Sequence, residues 1–227
     1  FLVTGGIGGI GQELAYCLAN VGYTPIITYN KNYKNVAHLA EKANAEVLQL
    51  DLLDLKAIDA FVNDLASRKI ILEGVVLGAS APLHLSSFGH ITESDMDDQW
   101  RINVLGHQRL LAGLVRKVFS VRKKGIVIGI LSEAMGVDGM AGLKSMGSYI
   151  IAKYGLQGLL STINAEYRWM DVSYVKPGYT DTKMLNAFDD RFVKLLKESG
   201  KISHPKEVAR SIVDEILLFK YSTGYFL

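Results

Sequence analysis

A phenol and an ammonium one helical turn apart can move a proton onto a carbonyl oxygen, and Tyr149 and Lys153 have that spacing. A phenol ionises near pH ~10, so it serves near neutrality only where positive charge favours its anion. Four residues apart on a helix, the two side chains share a face, so the ammonium can stabilise the phenolate and also donate to a ribose hydroxyl. Tyr179 and Lys183 repeat the interval, but they directly follow Pro177-Gly178 in a loop, whereas Tyr149 begins a long apolar helix. Only the first pair is rigidly mounted. Ser132 ends an apolar run at 126–131, where its hydroxyl can donate to a substrate oxygen. Asn103, on the helix before that run, is placed to hold a water linking Lys153 to solvent.

A second constellation suits a phosphate. Phe1-Leu2-Val3 reads as a strand and runs through Thr4-Gly5-Gly6-Ile7-Gly8-Gly9-Ile10-Gly11 straight into a helix. Glycines at Gly5, Gly9 and Gly11 permit a tight turn and a close backbone approach, and the helix start beside Ile10 adds partial positive charge for a pyrophosphate. Asp51, at the end of the third strand, can accept from an adenine amino group or cap a turn, with Asp54 nearby. Tyr29-Asn30-Lys31 closes the second strand without an acidic residue to grip a ribose 2'-hydroxyl. Lys31, or Lys34 further on, can instead pair with a 2'-phosphate, so NADP(H) is preferred over NAD(H).

Both constellations need a scaffold, and the hydrophobic pattern supplies one. Short apolar runs at 2–3, 25–29, 46–50, 74–77, 126–131 and 172–176 alternate with helical periodicity at 10–21, 36–43, 55–67, 95–119 and 149–170. Such alternation predicts an α/β fold, a doubly wound parallel sheet of the Rossmann type with helices on both faces. With 227 residues, 49% of them hydrophobic, one domain over 1–227 can absorb the whole chain. The stretches 95–119 and 149–170 carry more apolar surface than one sheet face requires, which implies either a homodimer or homotetramer through these helices or a deep monomer core.

The formal charge of +2 gives no strong field, and the basic run Arg122-Lys123-Lys124 sits at a helix end, so neither nucleic acid nor an anionic membrane is an expected partner. A single cysteine, Cys17, excludes disulfide staples and fits a reduced, cytoplasmic setting. The histidines are scattered, and no metal site is expected. No apolar run reaches the ~20 residues that span a bilayer. The chain opens without Met inside a strand, and Gly224-Tyr225-Phe226-Leu227 reads as a strand cut short, so both ends are expected to be trimmed.

Together, Thr4 to Gly11, Asp51, Asn103, Ser132, Tyr149 with Lys153, and Pro177-Gly178 with Thr182 resemble the short-chain dehydrogenase/reductase family over nearly the whole chain. The resemblance implies Tyr149 as general acid/base, Lys153 as ribose ligand, Ser132 as carbonyl-orienting donor and Asn103 as relay support. It also implies that Leu52, Ala79 and Thr180 border the cofactor, with Pro177, Gly178 and Thr182 flanking the nicotinamide. Two departures stand out. Gly78-Ala79-Ser80 replaces the family's Asn-Ala-Gly, so an asparagine that helps tie the sheet together is missing, and the stretch from Ser132 to Tyr149 is longer than usual, with a glycine- and methionine-rich segment inside it. The stretch 184–200 occupies the place of the family's substrate lid; it is either an amphipathic lid or an ordinary surface helix. These readings predict a carbonyl reductase or alcohol dehydrogenase acting on a small molecule such as an oxoacyl thioester, a polyol or a cyclic ketone. The rival is a cofactor-binding sensor or scaffold without turnover.

Overall fold

The computed structural model describes residues 1–31, 36–68, 70–136 and 140–222. Lys34 and the segment 224–227 therefore lie outside the described residues. Among those described, β1 (Leu2–Thr4), β2 (Ile26–Tyr29), β3 (Glu46–Gln49), β4 (Gly74–Leu77), β5 (Gly125–Ile130) and β6 (Met170–Val175) form one sheet in the order β3-β2-β1-β4-β5-β6. Every neighbouring pair is parallel, so each connection crosses over the sheet through helix. The order reverses between β1 and β4, and the crevice at their carboxyl ends is where open sheets of this kind take ligands.

Successive strand residues point to opposite faces, and both faces are dry. Leu2, Val75, Leu77 and Val127 join one core cluster with Leu110, Leu114 and Leu160, while Val3, Ile27, Val76 and Ile128 join the other with Leu14, Leu18 and Ile212. Each such side chain contributes about 1.5–3 kcal/mol by leaving water. The first face is covered by α3 (Leu55–Ser67), by the segment from α4 (Glu93–Trp100) through α5 (His107–Leu114) to α6 (Ser120–Arg122), and by α7 (Gly147–Glu166); α1 (Gly9–Asn20) and α9 (Pro205–Ser222) cover the second. The short α2 (Val36–Lys42) buries Leu39 in the second cluster.

The expected helix at 95–119 starts earlier, at Glu93, because Thr92 and Asp95 close a capping box. It is also not uniform: π-helical stretches at Arg101–Gly106 and Val115–Phe119 interrupt it. The expected helix at 149–170 ends at Glu166, where Tyr167 leaves helical geometry, and Met170 already pairs with Gly125 in β6. In the stretch 184–200, expected as a lid or an ordinary surface helix, a 3-10 turn (Lys183–Ala187) precedes α8 (Asp190–Glu198), and the rings of Tyr179, Phe188 and Phe192 pack on one another at 5.5–5.7 Å. Among the described residues no helix is long and apolar enough to cross a membrane.

Candidate active site

The glycine loop turns sharply out of β1. Gly5 adopts φ +68°, a left-handed conformation that favours glycine, and a Cβ there would stand 2.9 Å from the Ala79 Cα. The Gly6 amide donates to the Thr28 carbonyl and the Gly8 amide to the Gly5 carbonyl, both at 2.9 Å, which fixes the turn. No side chain caps the start of α1 and no acidic residue stands in its first turn, so this end keeps its positive character for an anion. Gly9 approaches Thr182 so closely that a Cβ would lie 2.7 Å from the Thr182 methyl, which brings the loop against the segment that follows β6.

The second group sits where β5 ends and α7 begins. Ser132 follows the strand, and its Oγ accepts from the Ala134 amide at 3.1 Å. Burial raises the Tyr149 phenol above its ordinary value, and the neighbouring Ser132 hydroxyl works against that rise. One turn along α7, Lys153 is only 2% exposed and donates from Nζ to the Ile130 carbonyl at 2.8 Å. Nζ stands 5.5 Å from the centre of the Tyr149 ring. Burial lowers the Lys153 ammonium to about 7, so in the open cleft this lysine exchanges its proton near neutrality.

The long stretch between Ser132 and Tyr149 does not separate them. Leu143 donates back to the Ala134 carbonyl and Tyr154 Oη, on α7, to the Met135 carbonyl, each at 2.9 Å, so both sides of the turn that carries Ser132 are tied to it. Asn103 lies in the first π-helical stretch, completely buried, with Nδ2 bonded to the Gln99 backbone and side chain and Oδ1 without a hydrogen-bond partner.

These groups border one cleft of about 1540 Å³. Gly5, Gly9, Ile10, Gly11, Asn30, Asp51, Leu52, Ala79, Ser132, Tyr149, Lys153, Pro177, Gly178, Thr180 and Thr182 all line it. Lys31 is exposed beyond Asn30 and Asn103 lies behind the wall, so neither is in the lining. The volume exceeds the ~300–1,000 Å³ usual for a single small ligand and suits a dinucleotide with a substrate beside it. Asp51 serves locally as well: its Oδ1 accepts from the Leu53 amide at 2.9 Å, the turn-capping alternative, and its second oxygen is left for a ligand.

Sequence reasoning missed three contributors. Gln99 and His107 are buried polar residues behind the cleft wall, and Glu133 places its carboxylate against Gly178, where a Cβ would stand 2.6 Å from Oε2. A polar residue amid a helical segment is the sequence signal for the first two. For Glu133 it was adjacency to Ser132.

The chain matches the short chain dehydrogenase family model over residues 1–191. It is 28% identical to a 3-oxoacyl-(acyl-carrier-protein) reductase of Aggregatibacter actinomycetemcomitans, with 93% of this chain and 88% of that protein aligned. It is 24% identical to an acetoacetyl-CoA reductase of Acinetobacter sp. (strain RA3849), over 93% of this chain and 88% of the relative. Among solved structures, an alcohol dehydrogenase from the archaeon Thermococcus sibiricus, complexed with 5-hydroxy-NADP, superposes with a TM-score of 0.77 at 21% identity, over 96% of this chain and 89% of that one.

Proposed function

The chain belongs to the short-chain dehydrogenase/reductase family and is an NAD(P)-dependent oxidoreductase; from that premise we propose that it reduces the ketone of a 3-oxoacyl thioester or a similar small carbonyl compound, with NADP(H) as its cofactor. The observation that carries this reading is the convergence of Ser132, Tyr149 and the buried Lys153 on the cleft that the glycine loop opens.

A nicotinamide held beside Pro177, Gly178 and Thr182 would supply a hydride to the carbonyl carbon. Tyr149 donates its phenolic proton to the carbonyl oxygen, so the products are a secondary alcohol and a phenolate. Ser132 donates a hydrogen bond to the same oxygen and orients it. Lys153, whose Nζ donates to the Ile130 carbonyl and whose proton is mobile near neutrality, would hold the cofactor ribose and restores the Tyr149 proton. Asn103, with its unsatisfied Oδ1, supports the water on the solvent side of that relay.

The substrate class draws on the two thioester-related relatives and on the apolar side chains of Leu83, Met146, Met184 and Phe188 at this end of the cleft. The cofactor preference rests on the absence of a carboxylate after β2 and on the exposed Lys31. We assign the catalytic unit to the single domain 1–227, with a lid at about 184–200, and its place to the cytoplasm. Trp100, Leu105, Ile151 and Tyr154 leave apolar surface exposed on the α4 segment and α7, which supports a homodimer or homotetramer through these helices.

The test is a titration with NADPH and NADH followed by assays on acetoacetyl-CoA and a panel of simple ketones. Tight binding with NADPH oxidation supports the reading; tight binding without turnover by any of them favours a cofactor sensor.

A further inference from the structure

Thr4, Gln99, Asn103 and His107 are all buried, and they form one hydrogen-bonded string. Gln99 Nε2 donates to the Pro82 carbonyl at 2.7 Å, and Asn103 Nδ2 donates to Gln99 Oε1 at 3.0 Å. His107 Nδ1 lies 3.1 Å from the Asn103 carbonyl, and His107 Nε2 lies 3.0 Å from Thr4 Oγ1. Thr4 Oγ1 in turn accepts from the Gly78 and Ala79 amides at 2.9 and 3.1 Å. The string therefore starts and ends on the same backbone, residues 78–82, which has no regular structure and forms a wall of the cleft.

The protons follow from the partners. A carbonyl only accepts, so His107 carries its hydrogen on Nδ1. Burial lowers the imidazole to about 4, with the Lys153 charge adding to the effect, so the ring is neutral and Nε2 accepts. The Thr4 hydroxyl gives its one hydrogen to Nε2 rather than to the Val76 carbonyl at 3.4 Å. That choice aims its lone pairs at the two amides.

We propose that His107 is a positioning residue that closes this string into a ring and thereby holds the Gly78-Ala79 wall in register for the dinucleotide. The inference rests on the reading that the cleft takes NAD(P). Gly5 approaches the Ala79 Cα so closely that movement of the wall moves the glycine loop as well. The ring also accounts for the missing asparagine at Gly78. A Cβ at Gly78 would stand 2.9 Å from the Thr4 carbonyl oxygen and 3.1 Å from Ile130, so the tie between β1 and β4 comes from the helix side instead.

The test compares His107→Phe, Gln99→Leu and the double variant by amide hydrogen exchange of the free protein and by NADPH titration well below the melting temperature. Opening the ring speeds exchange at Gly78 and Ala79 and weakens NADPH, each by about tenfold in His107→Phe. The double variant binds no more weakly than the weaker single variant, because either change opens the same ring. Unchanged exchange at Gly78 and Ala79 in folded His107→Phe, or strictly additive losses of affinity, overturns the proposal. Should His107→Phe not fold, His107→Gln is read by the same exchange measurement, with the same two outcomes. A wild-type protein that binds neither NADPH nor NADH refutes the cofactor reading, and the exchange data still decide whether the ring holds the wall.

Discussion

At the Tyr149 end of the cleft the groups around the phenol are held from behind: Ser132 by the Ala134 amide, Lys153 by the Ile130 carbonyl, Asn103 by Gln99. At the Asp51 end the candidate groups stand on loops after β2 and β3. There Lys31 is exposed, Asn30 and Asp51 are half-buried, and Asp51 spends one oxygen on its own turn. The difference follows from what each end must do. Proton transfer depends on shifted pKa values and fixed geometry, which require burial. Grip on an adenosine phosphate depends on charge that works from solvent, so it needs neither. The first end is thus a rigid instrument and the second a replaceable one.

The largest effect that bears on this contrast is expected from Tyr149→Phe. Removal of the only proposed acid lowers kcat by ~10²–10⁴-fold while NADPH affinity stays within a few-fold. A parallel loss of affinity, measured by titration, would show that Tyr149 serves binding rather than chemistry. Ser132→Ala is expected to cost less, about 10–10²-fold in kcat, because a neighbouring donor is lost and the acid remains.

Lys153 gives the contrast a thermodynamic form. Its folded-state value is lowered to about 7, below the ordinary lysine value, so between these limits the unfolded chain holds a proton that the folded chain lacks. Stability in the absence of cofactor therefore rises with pH above 7, by up to ~1.4 kcal/mol per unit, and the penalty is full below 7. Urea midpoints between pH 7 and 9 measure the slope. Lys153→Met should flatten the slope between pH 8 and 9.

How much of this could be read beforehand also divides along the two ends. Tyr149, Lys153, Ser132 and the glycine loop were legible because each sits at a strand end or a helix start, positions that periodicity marks. The family and the doubly wound parallel sheet followed from the same signals. The expected lowering of the Tyr149 phenol by Lys153 was not what the open cleft shows: the ammonium faces Ile130 and burial dominates, so Ser132 supplies the opposing pull. Helix boundaries at 95 and 170 were misplaced because a capping box and a strand start compete with apolar periodicity there. The ring through His107 was invisible, since its members are joined across 103 positions by contacts that only the fold creates. The helix Pro205–Ser222 went unread despite its helix-opening proline, which is favoured at a first position.

The smallest expected effect falls at the exposed end and tests whether it is as replaceable as its geometry suggests. Lys31 lies outside the lining of the cleft, so its contribution to a 2'-phosphate is one solvent-screened charge pair. Lys31→Asp both removes that pair and offers a carboxylate to an unphosphorylated ribose, and the ratio of NADPH to NADH affinity should fall by about tenfold. Since nothing at the Tyr149 end depends on residue 31, kcat with saturating cofactor should stay the same. A variant that lost kcat as well would mean that the two ends communicate through the loop after β2, and the division between a rigid and a replaceable end would have to be given up. An unchanged ratio with unchanged kcat would instead leave the division standing and move the phosphate contact away from Lys31.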